Sequence, residues 1–111
     1  MRKLILIFIS ILILNSCVIG HPKPEECAVV ETTITKITEG PSYDIIFHNI
    51  YGDYFYINRG LKQGLNLEEL NTSVLNKTVT LHLARLLAGT VTSEHIAQIT
   101  VGDHIIYTEF E

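Results

Sequence analysis

Five histidines, two cysteines and five tyrosines give this 111-residue sequence its widest chemical repertoire. His21, His48, His82, His95 and His104 invite a metal reading, because imidazole is a common ligand for zinc and copper. Their spacing gives it little support: no HxH or HxxxH pair occurs, Cys27 is remote, and no Asp or Glu completes a familiar ligand pattern. What remains is a site assembled by folding from His48 and His82, which would make the chain a metal-handling or small hydrolytic protein. Solvent-facing imidazoles on a sheet require no such assembly. Nucleophilic catalysis lacks its signatures, with no GxSxG elbow, no paired Ser-Lys motif and no Cys-His constellation. Glu68 and Glu69 are adjacent carboxylates, but they fall in the first turn of an expected helix, where negative charge favours the positive end of the helix dipole. No glycine loop followed by Lys-Ser or Lys-Thr offers a phosphate cradle. The sequence therefore predicts no catalysis and no cofactor. Its strongest constellation is aromatic: Tyr54 and Tyr56 share one side of a strand, Ile46 and His48 share the outward side of its neighbour, and Arg59 is the nearest cation. Tyrosines so placed either stack on a sugar or peptide or serve as cross-strand partners in a half-buried sheet.

Charge narrows the partners. Residues 17–111 hold 6 Lys+Arg against 12 Asp+Glu, a net charge of −6. Affinity for nucleic acid comes largely from cations that displace counterions, so an acidic body of this kind predicts no nucleic-acid partner. The length allows one small domain at most.

The elements that must position these residues are short and β-rich. Val30, Thr32 and Ile34 share a face, and the next apolar residue, Ile37, returns to it only through a bulge. Tyr43, Ile45 and Phe47 alternate with Asp44, Ile46 and His48. Tyr51-Gly52-Asp53 turns the chain, and Phe55 and Ile57 then alternate with Tyr54 and Tyr56, which predicts a hairpin. Leu65 to Leu70 carries a helix start: Asn66 as cap, Glu69 reaching back, and Leu65 packing on Leu70. Lys77 to Leu83 alternates cleanly. A long connection over 85–95 is expected next, its Leu86-Leu87-Ala88 either folding back as an extra short element or exposing a partner patch. Ile96 to Val101 and His104 to Phe110 read as two strand pieces around Gly102-Asp103.

The N-terminus has a different character. Met1-Arg2-Lys3 is basic, and Leu4 to Leu14 is apolar except for Ser10. These eleven residues fall well short of the roughly 20 that span a bilayer, so a cleaved signal fits better than a permanent anchor. Leu14-Asn15-Ser16-Cys17 resembles the lipobox of bacterial lipoproteins, with Asn15 an unusual residue at its tolerant position. The resemblance implies cleavage between Ser16 and Cys17, diacylglyceryl transfer to the Cys17 thiol and acylation of the new N-terminus. The membrane lipid then becomes a partner through several chains, which hold far better than one. The organisation it implies is a signal peptide over 1–16, a lipidated N-terminus and flexible tether over 17–27, and a domain over 28–111. The two prolines and three charges of Val18 to Glu26 suit a tether reaching up to about 30 Å when extended. Val18 rather than Asp after the cysteine goes, in lipoproteins of the enterobacterial type, with transfer to the outer membrane. The late position of Glu25 and Glu26 points to a domain facing the periplasm. With Cys17 acylated, Cys27 is either a reactive thiol or a small apolar residue beginning the first strand; without acylation, a Cys17–Cys27 bridge is open.

Three strands, a short helix and then two more strands resemble the OB-fold, and this resemblance extends over roughly residues 28–110. It implies a mainly β, five-stranded Greek-key barrel with one short helix between strands 3 and 4; a split β-sandwich is the competing architecture. It also implies that ligands bind the face of strands two and three, flanked by the loops between strands one and two and between four and five. That would make Tyr54, Tyr56, His48 and Arg59 the candidate ligand-binding residues, with an envelope protein or glycan as partner.

Overall fold

Eight of the twelve residues of Ala28–Glu39 are Val, Ile or Thr, the side chains that suit a pleated, half-buried surface, and they form one long strand, β1. The computed structural model of the chain describes residues 23–87 and 89–110. Five more strands follow: β2 (Ile45–Asn49), β3 (Tyr54–Ile57), β4 (Thr78–Leu86), β5 (Val91–Val101) and β6 (His104–Thr108). One α-helix, α1 (Leu67–Ser73), lies between β3 and β4.

The bend in β1 organises the sheet. Its register shifts between Ile34 and Lys36, where the apolar spacing requires a bulge. Before the shift β1 pairs with β4, from Ala28 opposite Leu83 to Thr33 opposite Thr78. After it β1 pairs with β2, ending with Glu39 opposite Ile45. β2 and β3 form a hairpin, β4 and β5 pair antiparallel, and Tyr56 of β3 meets His95 of β5 in parallel to close the ring. The result is a closed, five-stranded mixed barrel with one helix between β3 and β4, the OB-fold-like architecture that the element order predicts. β6 is an addition that pairs with the far half of β5 through a turn at Gly102, whose φ of 58° suits glycine.

Alternation fills the interior. Ile34, Ile45, Phe47, Ile57, Val79, Leu81, Ile96 and Ile99 are all buried, and the helical segment adds Leu70 and Val74. Burial of such side chains contributes roughly 1.5–3 kcal/mol each. Asn66 caps α1 as its sequence position predicts: its Oδ1 accepts from the Glu68 and Glu69 N–H groups at 2.8 and 3.2 Å. Leu65 and Leu70 both pack on the core. Gly60 is needed for space, since a Cβ there would lie 2.6 Å from Ile45 Cδ1.

Two expectations are corrected. The long connection over 85–95 is instead a tight hairpin: β4 runs on through Leu86, which pairs with Val91, and Arg85 pairs with Thr92. The β-branched residues Val91 and Thr92 extend β5 backward, and Leu87 and Gly89 supply the positive φ values of the turn. Ala88 lies outside the described residues. Tyr43, expected to continue the inward face of Ile45 and Phe47, sits in a 3-10 turn over Pro41–Tyr43 and is 53 % exposed. Pro41 starts that turn, and Ser42 and Tyr43 take left-handed φ values that end the alternation.

Candidate functional site

The outer wall of β1, β2 and β3 carries two cross-strand rows. In one, Lys36 faces His48 and His48 faces Tyr54; in the other, Thr38 faces Ile46, Ile46 faces Tyr56, and Tyr56 faces His95 across the barrel seam. The rows exist because Phe47, Phe55 and Ile57 occupy the inward positions, which turns their neighbours outward. Tyr54, Tyr56 and His48 are thus brought together. Tyr54 is 52 % exposed, whereas Tyr56 and His48 are half-buried. The His48 Nε2 lies 3.2 Å from Thr38 Oγ1, which links the two rows. Tyr56 packs edge-on against His95, ring centroids 5.7 Å apart. Its hydroxyl is held above the usual tyrosine range by burial first and then by the Asp44, Glu94, Tyr54 and Glu109 charges, so it stays a neutral hydrogen-bonding group.

Arg59 stands apart from these rows. It precedes the 3-10 turn Gly60–Gln63 with a left-handed φ of 51°, and its N–H donates to Asp44 Oδ1 at 2.8 Å. That bond fixes the loop between β1 and β2 against the end of β3. Beside it, the Lys62 ammonium lies 4.7 Å from the Tyr43 ring centroid, a cation–π contact at the same end of the barrel.

Sequence reasoning placed the turn of the β2–β3 hairpin at Tyr51-Gly52-Asp53, as found, but did not single out the exposed side chains at its tip. Ile50 and Tyr51, four and three positions before Tyr54, are 72 % and 83 % exposed. Asn49 holds this tip. Its buried side chain donates to Thr32 Oγ1 and Asp53 Oδ2, each at 3.1 Å, and accepts from the Tyr51 and Asp53 N–H groups at 3.1 and 2.9 Å. The available signal was Asn49 itself, four residues before Asp53, a residue type that organises turns by bonding its own backbone.

A second polar cluster closes the barrel seam. Buried His95 donates from Nε2 to Glu109 Oε1 at 2.8 Å, and the Tyr107 hydroxyl donates to Glu109 Oε2 at 2.6 Å. Burial and then the bond to Glu109 push the Tyr107 hydroxyl far above its ordinary range. Both carboxylate oxygens are occupied, so the cluster acts as a clamp on the end of the chain after β6.

The proposed metal pair does not form. His48 and His82 face Lys36 and Val29 of β1, seven positions apart, and His82 instead sets its ring edge-on to Phe110 at 5.5 Å. Among the described residues, no group of three or more His, Cys, Asp or Glu side chains gathers around a common point. Cys27 is buried beside β1, and its thiol is pushed up chiefly by burial, then by Glu26. Ser16 and Cys17 lie outside the described residues, as does any Cys17–Cys27 bridge. Among the described residues no helix is long and apolar enough to cross a membrane. No family model, curated protein or solved structure matches the chain.

Proposed function

We propose that this chain is a bacterial envelope lipoprotein whose barrel is a non-catalytic binding module. In this reading Ser16 precedes the cleavage point and acylated Cys17 holds the protein in the outer membrane, facing the periplasm. Residues 17–27 carry the barrel away from the bilayer. The outer wall of β2 and β3 engages an envelope protein or glycan. The observation that carries the binding role is exposed Tyr54 and half-buried Tyr56 on the outer wall of one hairpin of a closed barrel, with exposed Tyr51 in the turn of that hairpin. Aromatic faces on a rigid sheet bind planar or apolar ligand surfaces without first paying a large ordering entropy. His48 and Lys36 add polar groups at the rim of the same wall.

Two measurements test this. The intact mass of the protein purified from its host's membranes should include fatty acyl groups on Cys17; an unmodified cysteine contradicts the lipoprotein reading. Double substitution of Tyr54→Ser and Tyr56→Ser should leave the β-sheet circular dichroism intact and abolish in-cell crosslinking to the partner. Undiminished crosslinking by the folded variant contradicts the binding role.

A further inference from the structure

A second surface, away from the tyrosine strip, has the geometry of a peptide site. Among the described residues β6 pairs with β5 alone, and no loop or turn backbone hydrogen bond reaches His104–Thr108. The β5–β6 ladder bulges at Ile106, since Thr100 pairs with Ile105 and Ile99 with Tyr107, and on either side of that bulge the outer edge of β6 offers N–H and C=O groups that another extended backbone can match. Ile105, 53 % exposed, stands on this strand.

Beside β6 is a cleft of about 170 Å³ between the strand and α1, lined by the apolar Leu65, Leu70 and Ile106 and by the polar Asn66, Glu69, Ser73 and His104. It is close to the size at which an engineered cavity of about 150 Å³ takes up benzene, so it has room for one long side chain. The mixed lining suits a side chain that is itself apolar along its stem and polar at its tip. Charge selects the tip. Asn66 spends its side-chain oxygen on the helix cap, and Ser73 donates to the Glu69 carbonyl. The Glu69 carboxylate pairs with no Lys or Arg among the described residues.

We propose that the free edge of β6 accepts an extended peptide strand whose Lys or Arg side chain enters the cleft and meets Glu69. The incoming strand continues the sheet β4-β5-β6, its backbone bonds supplying affinity and the Glu69 pocket supplying selection for a cation at one position. The ligand is a basic extended segment of another protein. This site is independent of the wall formed by β2 and β3.

The full-length protein in detergent micelles, isotope-labelled for amide exchange, should be titrated with the capped heptapeptide TVTKTVT. Binding should slow exchange of β6 amides at least tenfold, and of no amides on β2 or β3. Glu69→Gln should weaken binding about threefold, the loss expected for one ion pair at an exposed carboxylate. Replacing the peptide's lysine by norleucine should cost the same, and the two changes together no more than either alone. N-methylation of alternate peptide amides on the pairing edge should abolish binding. Equal affinity of the N-methylated peptide, protection elsewhere than β6, or indifference to Glu69→Gln would each overturn the proposal. So would concentration-dependent dimerisation that protects β6 without peptide, which would put a second copy on that edge.

Discussion

Replacing Asn49 by Ala removes the four side-chain hydrogen bonds that hold the β2–β3 turn. Each such bond contributes about 0.5–1.5 kcal/mol net, with the larger values where a partner is left buried and unsatisfied. Thr32 is buried, so the loss of its donor counts fully, whereas the Tyr51 and Asp53 N–H groups sit near solvent and recover bonds to water. The expected destabilisation is therefore about 2–3 kcal/mol rather than the sum of four maximal terms. In a domain of this size 1 kcal/mol shifts the melting temperature by roughly 4–8 °C, so Asn49→Ala should melt about 10–20 °C lower. Thermal unfolding followed by circular dichroism measures this. Asn49→Asp should fare no better, because it keeps the acceptor for Tyr51 and Asp53 but sets a carboxylate against Asp53 Oδ2. A melting shift under 2 °C for Asn49→Ala would refute the idea that this side chain holds the hairpin tip and its exposed tyrosine.

Gly60→Ala should lower stability by about 1–3 kcal/mol in urea unfolding, because its methyl would press on Ile45 and Ile57 inside the core. Tyr107 should ionise after the exposed tyrosines in an ultraviolet pH titration. Its folded-state pKa is raised, so the stability it contributes is complete below the unfolded value of about 10 and falls as pH rises beyond it. Cys27 should react with a thiol reagent at pH 8 at least about tenfold more slowly in the folded protein than in urea, since burial raises its pKa and blocks access.

Much of the barrel was legible because its strands are buried on one face only, which prints a period of two on the sequence. Phe47, Phe55, Ile57, Val79 and Leu81 all lie inward as that period requires. The β1 bulge was legible for the same reason, as a skipped position between Ile34 and Ile37. The β4–β5 hairpin was not, because the alternation breaks there. Ala84, His95, Ile96 and Ala97 are all buried, and register shifts around Leu83 interrupt the ladder. Side chains on both faces of such a stretch are covered, one by the core and the other by the clamp from Glu109, so polarity no longer reports direction. Tyr54, Tyr56 and His48 could be assigned to one wall from alternation alone. The exposed Tyr51 was hidden by its place in a turn, and the Glu69 cleft by the distance in sequence between α1 and β6.

The most direct test of the binding role is a photocrosslinking side chain placed at position 54 in the intact cell, compared with the same group at position 29. Val29 is also well exposed but lies on the β1–β4 side of the barrel. A discrete adduct from position 54 alone, lost when Tyr56→Ser is added, is the predicted result. No adduct at 54, or the same adducts from both positions, would contradict it.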